Sequence, residues 1–243
     1  MKLKRPSISK SSQKLRRDRP GVNTALKLLV VLLMSCGTLT ETRAESNRLT
    51  LARLHYSGGG DWYNDPSSIP NLLAFLHQQT NIAVADQEAR VAPSDAKLFS
   101  YPILFMTGHG RIRFSDKDAE NLRSHLLHGG FLYADDDYGM DSSFREAMKQ
   151  VFPDKEWVEL PFSHLIYSVL YPFPDGLPKI HEHDPGPPQG LALFEQGRMV
   201  VFYSLNTNIT DGWADAQVHG DDEEVRLSAL KMGANIVVYA LIQ

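Results

Sequence analysis

Along residues 48–152 the apolar positions switch repeatedly between the short period of a strand and the longer period of a helix. Residues 48–57 alternate, with Leu49, Leu51, Leu54 and Tyr56, and predict a first strand that ends at Gly58-Gly59-Gly60. Residues 66–79 place Ile69, Leu72, Leu73 and Leu76 on one helical face, with Ser67 or Ser68 as cap. A short strand is expected near residues 82–84. The apolar run Tyr-Pro-Ile-Leu-Phe-Met-Thr at 101–107 reads as a buried strand broken by Gly108-His109-Gly110. Residues 115–128 follow as a helix, with Ser115 and Asp118 spaced as a capping box, and Gly129-Gly130 stop it. A strand over 131–134 leads into Asp135-Asp136-Asp137, and residues 141–152 form another helix, capped by Asp141 or Ser142.

The remainder is less regular. Residues 153–188 are rich in proline and aromatic residues, with one short helix expected over 164–170. Residues 191–195 and 199–203 flank Gln196-Gly197 and read as a hairpin. Residues 223–241 make a closing helix whose apolar face includes Val225, Ala229, Met232, Ile236 and Val237. Strand–helix alternation of this kind predicts an α/β fold, a three-layer sandwich around a mainly parallel sheet. In such sheets ligands bind beyond the carboxyl ends of the strands. Three polar turns should therefore share one edge: 57–61, 107–110 and 135–137.

The amino-terminal segment has a different character. The chain has 243 residues and a net charge of −4. Ten of its 25 Lys and Arg but only two of its 29 acids fall in residues 1–44, which leaves 15 basic and 27 acidic residues, −12, in the rest. A domain that acidic repels nucleic-acid phosphates and favours divalent cations or cationic groups as partners. The seven apolar residues 28–34 follow a basic stretch and are too short for a bilayer core of about 30 Å. They fit a signal segment. Residues 1–44 are thus read as signal segment and linker, and 48–243 as a single α/β domain. Three fates of the leader stay open: cleavage before a lipidated Cys36, cleavage after Ala44, or retention as an uncleaved anchor. The expected location is exported, either periplasmic or membrane-anchored facing the periplasm. Membrane contact comes only through this segment or Cys36. Cys36 is the single cysteine, so a mature domain starting beyond it has no disulfide and no thiol nucleophile.

Several motifs occur in order: Gly59-Gly60-Asp61-Trp62-Tyr63, Thr107-Gly108-His109-Gly110, Gly129-Gly130-Phe131-Leu132 with Asp135-Asp136, Gly176-Leu177-Pro178-Lys179-Ile180-His181, Asp211-Gly212-Trp213, and Met232-Gly233-Ala234-Asn235-Ile236. With these, residues 48–243 resemble the domain of unknown function 4159 family of exported or membrane-associated bacterial proteins. The resemblance implies a class I glutamine amidotransferase-like fold, similar to flavodoxin, and no established activity. It also implies company with envelope ATPases and von Willebrand-type proteins. Two segments depart from the family pattern: Ser163-His164-Leu165, with leucine in place of proline, and Asn208-Ile209-Thr210-Asp211. Amidotransferases carry a cysteine on the turn that here holds Asp135-Asp136-Asp137, so thiolate glutaminase chemistry is excluded.

Candidate chemistry gathers on the strand-end turns. Asp135, Asp136 and Asp137 repel one another unless they are solvated, capping, or bound to a cation, and they stand as catalytic candidates with His109. Gly59, Gly60, Asp61, Trp62, Gly108, Gly110, Asp211 and Trp213 are candidate ligand-binding residues. The glycine run could form an anion nest, and Trp213 could stack on a flat ligand or pack a loop onto the core. His181 and His183 are two apart in a proline-flanked, extended segment, which puts both on one side. With His219 they are candidate metal ligands, and the only cofactor suggested is one divalent metal. Asp221 to Glu224 read as ordinary charge at a helix start. His77, His125 and His128 read as surface residues.

Two functions are expected from this pattern. One is a hydrolase-like enzyme of the cell envelope with a His/Asp, metal-assisted site acting on an envelope sugar, peptide or small ester. The other is a non-catalytic module that binds a small ligand or an envelope protein partner. Mass spectrometry of the mature amino terminus tests the leader. The expected product begins at a diacylglyceryl-modified Cys36 or at Glu45, or keeps Met1 and sediments with membranes. A cytoplasmic chain with an intact Met1 overturns the export reading.

Overall fold

In the computed structural model the described residues are 48–243, which form one compact unit. The leader, Cys36 and both cleavage positions lie outside them. The elements in chain order are β1 (Leu51–Leu54), α1 (Ser68–Gln79), β2 (Ala89–Val91), β3 (Ile103–Met106), α2 (Asp116–Leu127), β4 (Phe131–Asp135), α3 (Asp141–Val151), β5 (Val158–Glu159), β6 (Gln189–Glu195), β7 (Arg198–Leu205), the single-turn α4 (Ala216–His219) and α5 (Glu223–Ile242). The seven strands form one sheet in the order β2-β1-β3-β4-β7-β6-β5. β2, β1, β3, β4 and β7 run parallel, while β6 and β5 close the far edge antiparallel.

Successive side chains of a strand point to opposite faces, and both faces of this sheet are apolar. Leu51, Ile103, Phe105, Phe131, Tyr133 and Phe202 meet α1 and α5 on one side. Ala52, Leu54, Leu104, Met106, Leu132, Ala134 and Tyr203 meet α2 and α3 on the other. The result is an α/β fold with helices on both faces. α5 is 20 residues long and contains an 18-residue stretch of mean hydropathy 1.4, enough by length and composition to cross a membrane. Here it is a core helix. The Trp213 indole donates to the Ala229 carbonyl at 2.8 Å, and buried Asn235 bonds the backbone of Leu170 and Tyr171.

Several local expectations change. The strand expected at 82–84 is a single bridge, Leu49 to Val84, and the edge strand lies further on at Ala89–Val91. The helix expected over 164–170 shrinks to a 3-10 turn, Leu165–Tyr167. α3 is not capped by Asp141 or Ser142: its first residue is Asp141, and the Asp136 carboxylate accepts the Met140 N–H at 2.9 Å. His125 is buried rather than surface-exposed, because it fills the space a side chain at position 130 would need. Burial lowers its pKa to about 4. The capping box at Ser115 and Asp118 is present as read from the spacing.

One charged side chain organises the polar edge. Arg53, in the middle of β1, is fully buried. Its Nε donates to Glu88 at 2.8 Å, its Nη1 to the Asn64 and Trp62 carbonyls at 2.9 and 3.4 Å, and its Nη2 to the Asp65 carbonyl and Ser68 Oγ at 3.2 Å each. All five guanidinium N–H groups are used. They clamp the 62–65 loop onto the sheet. Arg53→Met should lower stability by about 3–5 kcal/mol, because it leaves Glu88 and three carbonyls poorly satisfied in the interior. Arg53→Lys, with three donors, should recover only part. Urea unfolding measures both, and a loss under about 1 kcal/mol for Arg53→Met would contradict the clamp.

Candidate functional site

β1, β3, β4 and β7 are parallel neighbours, so the loops that follow them emerge on one rim. They are 55–65, 107–113, 136–140 and 206–211. α4 and the 181–184 segment add to the same place. The convergence expected of the strand-end turns is therefore met: His109 Nδ1 lies 3.0 Å from Asp61 Oδ2 and 3.4 Å from Asp137 Oδ2.

Local backbone explains how His109 is held. Gly108 lies against the Tyr56 hydroxyl and Asp61, and Gly60 against the His109 carbonyl, each so closely that a Cβ would clash. With those side chains absent, Asp61 accepts both the backbone N–H and the Nδ1 of His109. A proton kept on Nδ1 leaves Nε2 as the free acceptor. The ring is about half exposed, with 47% of the side chain open to solvent. In the glycine run the Gly60 amide, like that of Asp61 after it, is already committed, donating to the Arg111 and His109 carbonyls respectively. Gly59 is exposed, with open space around it.

The three consecutive aspartates divide their work. Asp135 is fully buried, and its oxygens accept from Ser204 Oγ, the Thr210 N–H at 2.9 Å and the Thr210 hydroxyl at 2.8 Å. It is a structural tie between β4 and the loop after β7, which corrects its place among the catalytic candidates. Asp136 accepts the Met140 N–H just ahead of α3 and is corrected likewise. Burial raises both to a pKa of about 6. Asp137 alone faces the rim, where it accepts from Asn64 Nδ2 and, at 3.0 Å, from Asn208 Nδ2.

Asp211 lies at the centre of a second cluster. Its Oδ2 is 2.8 Å from His181 Nδ1, 3.4 Å from Asn208 Nδ2 and 3.9 Å from His219 Nδ1. His181 Nε2 reaches Asp221 at 2.8 Å, and His219 Nε2 reaches Asp65 at 3.0 Å. Asp221 is thus a partner of His181 rather than plain helix charge. A neutral imidazole donates one hydrogen bond, yet His181 has a carboxyl oxygen at each nitrogen. Burial, then the neighbouring Asp137, Asp135 and Asp65, push Asp211 up to about 10. Its side chain is only 3% exposed, and Oδ1 is buried with no hydrogen-bond partner.

The Asp211-Gly212-Trp213 motif now has three separate reasons. Asp211 faces the cluster. Gly212 presses on Ala229 of α5, where a Cβ would lie 2.5 Å from the alanine's own. Trp213 is buried against Phe105 and Tyr133, which rules out ligand stacking. Trp62 packs on His55 at 4.2 Å and is also a packing residue. Asn71 of α1 donates to the Trp213 carbonyl and to Asp215, both at 2.9 Å, fixing the approach to α4.

Two groups of donors lie close enough to hold one cation each: Asp65, Asp211 and His219, and His181, His183 and Asp211. His183 is exposed and rests on Tyr138. Sequence reading missed Asn64 and Asp65, and set Asn208 aside as part of a departure from the family pattern. Asp65 and Asn208 take left-handed backbone, with φ of 45° and 56°, a cost that surrounding structure maintains at functional sites. The only trace in the sequence is that Asn and Asp tolerate this region better than other side chains.

No curated protein matches the chain. The family model described as "Domain of unknown function (DUF4159)" matches residues 50–241. Nearly all the described residues, including every polar group of the rim, fall within that match, and the chain belongs to this family.

Proposed function

We propose that this is a hydrolase-like enzyme of the cell envelope, in which Asp65, Asp211 and His219 hold one divalent cation and His109 is the general base. The observation that carries the reading is the unpartnered Oδ1 of Asp211, buried among other carboxyls. Buried carboxylates in such number are stable when a cation is shared between them. Two aspartates and a histidine suit zinc or manganese better than calcium, which prefers oxygen ligands alone. His181, braced by Asp221, orients Asp211, and His183 flanks the site.

The chemistry follows from the charges. A bound divalent cation lowers the pKa of a coordinated water towards neutrality. His109, with Nδ1 held by Asp61, would take a proton from the attacking water at Nε2 and could return it to the leaving group. Asp137, between His109 and Asn208, stabilises the imidazolium formed. The strand order 2-1-3-4-7 of the parallel part supports the flavodoxin-like, amidotransferase-like reading. Aspartates replace the nucleophile, so water is the attacking group. A chain of this kind works outside the cytoplasm on an envelope sugar, peptide or ester.

The alternative is a non-catalytic module that binds a ligand or an envelope protein. Its specific support is a pair of exposed rings beside the rim, Tyr63 and Tyr138, at 60% and 50% exposure.

Elemental analysis of the purified mature protein should find about one divalent ion per chain. Zinc or manganese should raise the Tm of stripped protein, and Asp211→Asn and His219→Ala should abolish that response. A stripped protein indifferent to added cations sinks the metal reading. In a screen of esters, glycosides and peptides, His109→Ala should keep the ion and lose about 100-fold or more in turnover. Turnover unaffected by His109→Ala would remove its assigned role.

The pH dependence of the metal-free protein is a separate check. Asp135, Asp136 and Asp211 bind protons more tightly folded than unfolded. Each contributes stability that is complete below the ordinary carboxylate value of 3.8 and is lost as pH rises through its folded value, about 6 for Asp135 and Asp136 and about 10 for Asp211. The Tm of stripped protein should fall from pH 4 to pH 7 and keep falling above it. Asp211→Asn should flatten the decline above pH 7. An unchanged slope there contradicts the assignment to Asp211.

A further inference from the structure

Beside His109 the surface opens into a groove of about 1010 Å³, lined among others by Ser57, Gly58, Gly110, Arg111, Arg113 and Ser142. It does not contain the Asp211 cluster. It begins at Gly110, the residue after His109, and reaches Gly139, two residues after Asp137.

The wall that carries the two arginines is fixed. Arg113 N–H donates to the Ser57 carbonyl, and the Gly60 N–H donates to the Arg111 carbonyl at 3.0 Å. Gly58 lets the two stretches lie this close, since a Cβ there would sit 2.6 Å from the Arg111 carbonyl oxygen. Between the arginines, the Ile112 N–H donates to Ser143 Oγ at 3.1 Å, and that hydroxyl lies 3.2 Å from the Gly110 carbonyl, which ties the wall to α3. Ile112 is buried, while Arg111 and Arg113 are exposed. An extended segment puts positions i and i+2 on one side, so both guanidinium groups border the groove. Neither makes an ion pair or a side-chain hydrogen bond among the described residues. Glu146 is the single acidic residue among the groove's lining. In a domain with 27 acids against 15 bases in residues 45–243, a groove with two unpaired arginines and one acid is a local reversal of charge.

We propose that this groove binds the anionic part of the substrate, a chain of carboxylate or phosphate groups, and leads its scissile bond to His109. The proposal rests on the catalytic reading only for the second half; anion binding stands on the groove alone. Guanidinium groups are suited to carboxylate and phosphate because their planar donors match both in a bidentate way. The groove's volume lies at the upper end for small-molecule sites, which favours an oligomer over a single small anion. The basic rim also offsets the repulsion that a net-acidic domain exerts on such a ligand.

The test is direct binding to the purified mature protein, with fluorescein-labelled trigalacturonate as the carboxylate probe and labelled tripolyphosphate as the phosphate probe. At least one should bind, more weakly at 200 mM than at 50 mM salt. Arg111→Gln/Arg113→Gln should weaken it at least about tenfold, with the Tm unchanged, since both side chains are exposed. Glu146→Gln should tighten binding two- to threefold. Preference for one probe identifies the anion. Failure of both probes, or equal binding by wild type and the double arginine variant, overturns the proposal. Asp211→Asn separates the two readings. Anion binding that survives this variant while the cation is lost supports the groove independently, and an absent cation in wild type with anion binding intact defeats only the metal-dependent enzyme.

Discussion

The polar rim depends on a buried guanidinium. Arg53 lies inside the sheet, where an ion is costly, and is tolerated because Glu88 neutralises it and five acceptors saturate it. Those acceptors include the backbone of Trp62, Asn64 and Asp65. The clamp therefore determines where the Asn64 and Asp65 side chains emerge. A glycine-rich loop after β1 would otherwise have many conformations to choose from. Its first part is pinned to the 109–113 segment through backbone bonds, and its second part to Arg53. Between these two anchors Asp61 reaches His109 and Asp65 reaches His219.

A similar logic sets the far side of the rim. Asp135 belongs to β4 by sequence, yet its carboxyl is held by Ser204 at the end of β7 and by Thr210 in the loop that follows. That loop then carries Asn208 and Asp211 inward. Trp213 and Gly212 seat it on α5, and Asn71 seats its exit on α1. The acidic cluster is thus assembled by residues that are not themselves part of it. The cost of gathering Asp65, Asp135, Asp137 and Asp211 is visible in the raised pKa of Asp211.

Much of this was legible in the chain. Apolar periodicity located α1, α2, α3 and α5 closely and the central strands to within a few residues, because burial on both faces forces that pattern. The rim was legible too, since glycines and acids at strand ends have few other reasons to sit there. Asp135 and Asp136 were harder to separate from Asp137. Adjacent identical residues differ only in direction, and direction depends on partners about 70 residues away or on the start of α3. Asp65 and Asn64 gave no signal, being ordinary loop residues until Arg53 fixes them. Trp213 was ambiguous for the opposite reason: an indole beside Asp-Gly suits a ligand as well as a core, and only the Ala229 carbonyl decides. The edge strand at Ala89–Val91 is three residues long, below what any periodicity can register.

The bond between Asp135 and Thr210 joins residues made far apart in time. A nascent chain that has emerged only as far as β6 already contains His109 and all three consecutive aspartates. It lacks β7, to which β4 must pair, and it lacks Asp211 and His219. Until those arrive, Asp135 has neither Ser204 nor Thr210 to hold it, and the acids of the rim remain hydrated and apart. The acidic cluster is therefore complete only once β7 has paired with β4 and the loop after β7 has brought Asn208 and Asp211 to the rim.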